Sequence, residues 1–176
     1  NVVICGDILV EPTQTINLTL TGANVGSPAA AVLSINDTAN VFRNGTAICT
    51  TLGAPAAPYP STILVSGGPA QIGALRVTFY DVAHTMPDNM DLLLVSPTGR
   101  QMILQSDAGG LVDLVNPVTI TFSDTAGQVL PDSAPLTTGV FEPTSWQAGQ
   151  ASFAVPAPPA PYNEPGSTIG GTPSLM

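Results

Sequence analysis

The chain has 176 residues, of which 44% are hydrophobic and only 9% charged; three arginines, no lysine and twelve acids give a formal charge of −9. Phosphate backbones are bound through Lys and Arg with release of counterions, so this composition excludes a nucleic-acid surface, and an anionic membrane surface on the same ground. No apolar run approaches the roughly 18 residues of a membrane-spanning helix, and so acidic a surface favours cations, Ca²⁺ first, or neutral polar partners.

Eighteen prolines and seventeen glycines interrupt the chain every few residues, and no window sustains a helical apolar period. Short Thr/Val/Ile-rich runs between turn signals predict strands instead. The first are "NVVIC" at 1–5, "TINLTLTG" at 15–22 and "AAVLSIND" at 30–37. In the second, Ile16, Leu18 and Leu20 alternate with polar residues, the pattern of a half-buried antiparallel strand. "RNGT" at 43–46 carries Asn-Gly, a strong hairpin signal. "TTLGAPAAPYP" at 50–60 reads as an extended connector.

A second set of strands follows: "STILVSG" at 61–67, "GALRVTFYDV" at 73–82 with Leu75, Val77 and Phe79 on one face, "DLLLVSP" and "RQMILQS". The last two are joined by "SPTG", whose proline and glycine suit a type I turn with a bulge. "PVTITFSD" is the next strand, and "SAPLTTGVFEPTSW" and "ASFAV" are weaker. Beyond Val155 the chain is Pro-rich and then Gly-rich, with little to bury, so an extended or loosely packed tail is expected. The fold class expected is all-β: an antiparallel β-sandwich or jelly roll with an additional short β segment at the N-terminus.

Two stretches resemble known families. Residues 6–39, with Gly6-Asp7, Glu11-Pro12, the alternating Ile16–Leu20 and Ile35-Asn36-Asp37, resemble the C-terminal half of a Calx-beta domain. Residues 57–162, through "APYPSTILVSG", "HTMPDNMDLLLVSPTG", "SDAGG", "VTITFSDTA" and "LPDSAPLTTGVFEPTSW", resemble the P domain of bacterial proprotein-convertase-like proteins. The resemblance implies a jelly roll that sits beside catalytic or adhesive modules in secreted proteins and is not itself a catalyst. The domains expected are a partial Calx-beta-like segment at 1–49, a P-domain-like jelly roll at 50–162 and a tail at 163–176. Both family patterns are cut short and no signal peptide is visible, so the chain reads as a processed or excerpted piece, or as a subunit completed by a neighbour's strand.

Seven of the nine aspartates lie between Asp81 and Asp132, most of them in expected loops. Calcium takes six to eight oxygen ligands from such loops, at roughly 2.3–2.6 Å. Asp88 and Asp91 in "PDNMD" resemble the acidic turn of the P domain; Asp107 in "SDAGG" and Asp124 at the end of "TITFSD" complete the candidate calcium set. The competing reading is that Asp in turns satisfies nearby backbone N–H groups, and no EF-hand spacing is present.

Catalysis finds little support in the residues. His84 is the one histidine, and no G-x-S-x-G turn offers it a nucleophile; it reads as a structural residue at a strand end, its ring bonded to backbone. Asp88 and Asp107 are conceivable as paired glycosidase acids, but aromatics are 5% of the chain and a sugar cleft wants them. Trp146 is either a stacking platform or a plug under a loop. Cys5 and Cys49 read as one disulfide of a secreted protein or as two buried thiols. Asn17, Asn36 and Asn44 match the glycosylation sequon, without meaning in a bacterial chain.

The function expected is therefore a non-catalytic structural or adhesive segment of a large secreted or cell-surface protein, stiffened by calcium and a Cys5–Cys49 bridge. Two alternatives are a subunit of an extracellular filament assembled by strand exchange through open β edges, and an accessory P domain of a secreted subtilisin-like protease. Partners expected are neighbouring domains or subunits, self-association included.

Overall fold

The computed structural model describes residues 14–19, 30–35, 41–51, 54–67, 72, 74–146 and 151–163, with 14–19, 30–35 and Thr51 as backbone only. The expected strand at 1–5, Cys5, the Gly6-Asp7, Glu11-Pro12 and Asn36-Asp37 motifs and the tail beyond Asn163 lie outside these residues. The chain divides into two compact units, Asn1–Gly68 and Pro69–Met176. Among the described residues all regular structure is β, apart from a 3-10 turn at Pro87–Asn89.

In the first unit, β1 (Gln14–Thr19) pairs antiparallel with β2 (Ala30–Ile35), Ile16 opposite Leu33 and Leu18 opposite Ala31. A second ribbon joins β3 (Cys49–Thr51) to β4 (Ala54–Ala57). The connector expected over 50–60 is thus partly strand. Pro55 is tolerated because both strands of a two-stranded ribbon are edges and the register shifts between Cys49 and Thr51.

Two expectations fail here. Asn44-Gly45 does not turn a hairpin. The Asn44 carboxamide oxygen accepts from Thr46 N at 2.9 Å, and its Nδ2 donates to Ser61 Oγ (3.1 Å) and Thr62 O (3.0 Å), so the residue ties its loop to a distant one. Residues 61–67 are in no strand. Their β propensity is real, but a strand needs a partner, and propensity does not supply one.

The second unit holds two three-stranded sheets. One has the order β5-β8-β9, from Arg76–Val82, Val118–Ser123 and Gly139–Phe141; the other has the order β6-β7-β10, from Leu92–Val95, Gln101–Ser106 and Thr144–Ser145. β5–β8 and β6–β7 are antiparallel, whereas β8–β9 and β7–β10 are parallel. The purely antiparallel sheet expected from the sequence is therefore corrected to mixed sheets. The connection over 124–138 meets the dozen or so residues that a parallel return requires. The β6–β7 turn is as expected: Gly99 N donates to Ser96 O at 3.0 Å and Gly99 takes φ +81°.

Side chains from both sheets share one core. Phe122, Ile120, Leu104 and Met102 are among its buried members, with Leu75, Val77 and Phe79 packed against the cluster as the alternation of β5 predicts. Phe79 meets Phe122 edge-on at 6.2 Å between ring centres.

β7 is buried on both faces. Met102 and Leu104 enter that core, while Ile103 enters a second cluster with Ala151 and Tyr162. The cover on this second face is segment 151–163: residues 151–155, expected as a weaker strand, are in no strand, and the Pro-rich part beyond Val155, expected to be loosely packed, docks here. It is fixed by Ile103 N donating to Asn163 O at 2.9 Å, Gln101 Nε2 donating to Pro159 O and Pro161 O at 3.3 and 3.2 Å, and an edge-on Phe153–Tyr162 pair at 5.3 Å. Proline-rich chain costs little entropy to order, since its φ is already set, so one aromatic pair and three backbone acceptors suffice to anchor it.

Candidate functional site

The acidic candidates cluster where β6, β7 and their flanking loops end. Asp91 precedes β6, and its Oδ1 accepts a 2.7 Å bond from Ser106 Oγ at the end of β7. Ser106 is fully buried. Asp91 is exposed as a residue, yet burial around its bonded carboxyl pushes it above the ordinary carboxylate value, against the lowering effect of Ser106, and Asp88 adds to the rise.

Asp107 follows β7 directly and sits in the left-handed region at φ +47°, which Asp tolerates better than most residues. Its carboxyl is also raised, by burial first and then by the charges of Asp88, Asp91 and Asp132. Backbone bonds hold these loops in place: Asp88 N donates to Gly110 O at 3.1 Å, and Gly109 N lies 2.8 Å from Pro131 O and 3.0 Å from Asp132 O.

Three of the four expected ligands, Asp88, Asp91 and Asp107, thus act on one another electrostatically. Asp124, just past β8, is not among the charges that act on them. Asp132 is, and the sequence reading did not select it. Its proximity depends on the non-local docking of 131–133 against 109–110, which no local pattern announces.

As placed, these side chains do not form a coordination shell: among the described residues no group of three or more His, Cys, Asp or Glu is arranged to hold a metal ion. The arrangement is a set of mutually repelling carboxylates on a rigid support. One neutral oxygen lies at the same end. Gln105 is fully buried, its Nε2 donates to Pro87 O at 3.4 Å, and its Oε1 has no hydrogen-bond partner.

The raised Asp107 carboxyl gives a prediction with a definite sign. A folded-state value above the ordinary 3.8 means that the native state binds the proton more tightly than the unfolded state does. The stability this adds is present below pH 3.8 and is lost as pH rises through the raised native value. Asp107→Asn keeps the shape and the left-handed backbone but removes the charge. It is expected to melt above the wild type at pH 7, by at most about 1 kcal/mol because solvent screens a partly exposed group, with the gain gone near pH 3. A lower melting point at pH 7 would show that the carboxylate has a favourable partner instead.

The other candidates have structural surroundings. His84 lies two residues past β5, with Nδ1 2.7 Å from Met86 O and 3.2 Å from Met86 N. Its ring therefore closes a local turn, and its carbonyl accepts from Leu114 N at 2.9 Å. Trp146 packs against the main core and donates from Nε1 to Leu130 O at 3.0 Å, which is the plug rather than the platform. Cys49 is exposed in β3 and carries a free thiol; its expected partner Cys5 lies outside the described residues.

An open groove of about 400 Å³ lies between 113–118 and 135–138. Leu114, Val118 and Leu136 contribute to its wall, and Asp113 is its one ionisable residue. No family model matches the chain, and no curated protein or solved structure matches it either; the Calx-beta and P-domain likenesses rest on the sequence motifs alone.

Proposed function

We propose that the chain is a non-catalytic structural or adhesive segment of a secreted or cell-surface protein, a P-domain-like sandwich behind a Calx-beta-like piece, with an acidic end that responds to calcium. The observation that carries this reading is the carboxylate neighbourhood of Asp88, Asp91, Asp107 and Asp132, set at the end of a strand buried on both faces. Charges that repel one another with no cation destabilise the fold, and a divalent ion relieves that cost. His84 engaged with Met86 and the groove with its single acid give catalysis nothing comparable.

The test is the melting temperature in calcium against chelator. Extracellular modules bind calcium at about 0.1–1 mM, and saturation at a hundred times Kd stabilises by about 2.7 kcal/mol. Wild type is expected to gain several degrees in 10 mM calcium, and Asp107→Asn to lose most of that gain. Equal melting in calcium and chelator removes calcium from the account.

A second reading, a filament subunit assembled by strand exchange, is favoured by a separate observation: among the described residues β6 is an edge strand, and an apolar segment outside that sheet has no strand partner. Analytical ultracentrifugation over a concentration series tests it, since a chain that stays monomeric throughout is not such a subunit.

A further inference from the structure

We infer that residues 61–66 of one copy add as a strand to the open edge of β6 in a second copy. This inference rests on the strand-exchange reading above and names the two elements that would carry it.

The donor is defined by what it lacks. Ile63, Leu64 and Val65 are 49%, 85% and 59% exposed, three large aliphatic side chains in succession outside any strand. Asn44 anchors the segment at Ser61 and Thr62, and among the described residues nothing bonds the backbone of 63–66. β-branched and aliphatic residues favour a pleated, half-buried surface, so this segment has the composition of a strand and the surroundings of a loop.

The acceptor is chosen by comparing the edges of the two three-stranded sheets. β5 is an edge strand, but its register shifts between Phe79 and Val82, Asp81 stands there at φ +54°, and Arg76 and Asp81 put charge along it. Bulges and charges are how edges are protected against further pairing. β9 and β10 are three and two residues long. β6, Leu92–Val95, has no charge and no proline, and among the described residues it has no partner on its outer side. It pairs with β7 alone, and Val95 is 42% exposed.

The occupant follows from charge and from stoichiometry. Copies carrying −9 each repel one another over most of their surface, whereas donor and acceptor are both uncharged. Each copy carries this donor and this acceptor, both without a strand partner among the described residues. Two different patches that complement each other make a heterologous contact, which grows into rings or open chains rather than stopping at a symmetric dimer. Peptide addition to a sheet edge gains its affinity from main-chain hydrogen bonds and its selectivity from alternate side chains.

The experiment uses two variants of the whole chain and their mixture, each checked by circular dichroism and melting. Leu64→Pro removes an N–H from the donor and keeps the acceptor. Val95→Lys puts a charge on the acceptor and keeps the donor. In ultracentrifugation, wild type is expected to rise severalfold in average mass with concentration. Each variant alone is expected to stay at monomer mass, and an equimolar mixture to reach twice that mass and stop. Assembly of wild type and both variants alike overturns this pairing while leaving strand exchange through other elements standing. Wild type that is monomeric throughout overturns both. Should Val95→Lys melt early, a synthetic peptide of residues 59–68 replaces it: the peptide is expected to cap wild-type chains down to monomers, and assembly unchanged by excess peptide overturns the pairing.

Discussion

Phe122→Ala is expected to cost about 3–5 kcal/mol, the usual range for a buried phenylalanine reduced to alanine. Phe122 is fully buried in β8, the central strand of its sheet, and lies opposite Phe141 of β9. It also loses its edge-on contact with Phe79, and β8 is held by neighbours on both sides, which limits collapse of the cavity. Against a total stability of about 5–15 kcal/mol, the loss takes a large share. With an m-value near 2 kcal/mol/M, the urea midpoint is expected to fall by about 2 M. Val155→Ala is the control: that side chain is 88% exposed and its removal is expected to change stability by less than about 0.5 kcal/mol. Comparable shifts for the two variants would mean that the two sheets do not share the core described.

Gly110→Ala is the second large effect and reaches the acidic end directly. Gly110 holds φ +68°, and a Cβ there would stand 2.5 Å from Ser133 O. The obstacle is backbone, which cannot rotate away as a side-chain tip would. The left-handed conformation adds about 1 kcal/mol for a residue with a Cβ, and the clash must be relieved by moving 131–133 or 109–110. A total of about 2–4 kcal/mol is expected. The same movement breaks the Asp88 N to Gly110 O bond, so the calcium-dependent rise in melting temperature is expected to shrink with it. Gly127→Ala serves for comparison, because Gly127 also has positive φ (+70°) but open space around it. A loss equal to that of Gly127→Ala would mean that the close approach to Ser133 is not part of the fold.

What the sequence reveals here follows how local each cause is. The alternation of Leu75, Val77 and Phe79 gives both the strand and its core face, because period two needs no knowledge of the partner. The Ser96–Gly99 turn is legible for the same reason. β7 is harder to read: Gln105 and Ser106 look like an outward-facing end, yet both are buried, because segment 151–163 and β10 cover what would otherwise be surface. That cover carries few large apolar side chains, Phe153, Val155 and Tyr162 among them, and docks from a distant part of the chain. The Asn44-Gly45 signal misleads because Asn44 spends its side chain on Ser61 and Thr62. Residues 61–66 have a strand's composition without a strand's neighbour.

The candidate site divides the same way. Asp88, Asp91 and Asp107 are found from turn chemistry and from resemblance, and the structure makes them electrostatic neighbours. The same logic selects Asp124, since an acid at a strand end looks alike whichever strand it ends. Asp132 carries no local signal, because only the packing of 131–133 on two glycines brings it near Asp107.

Central to this account is a rigid β7 that carries a cation-responsive acidic end. Amide hydrogen exchange on the whole chain, in 10 mM calcium and in chelator, tests that most directly. The account predicts strong protection of 102–105 in both conditions, and a calcium-dependent rise in protection confined to 87–91, 107–110 and 131–133. Exchange that is unchanged by calcium in those loops, or fast exchange in β7, would contradict it.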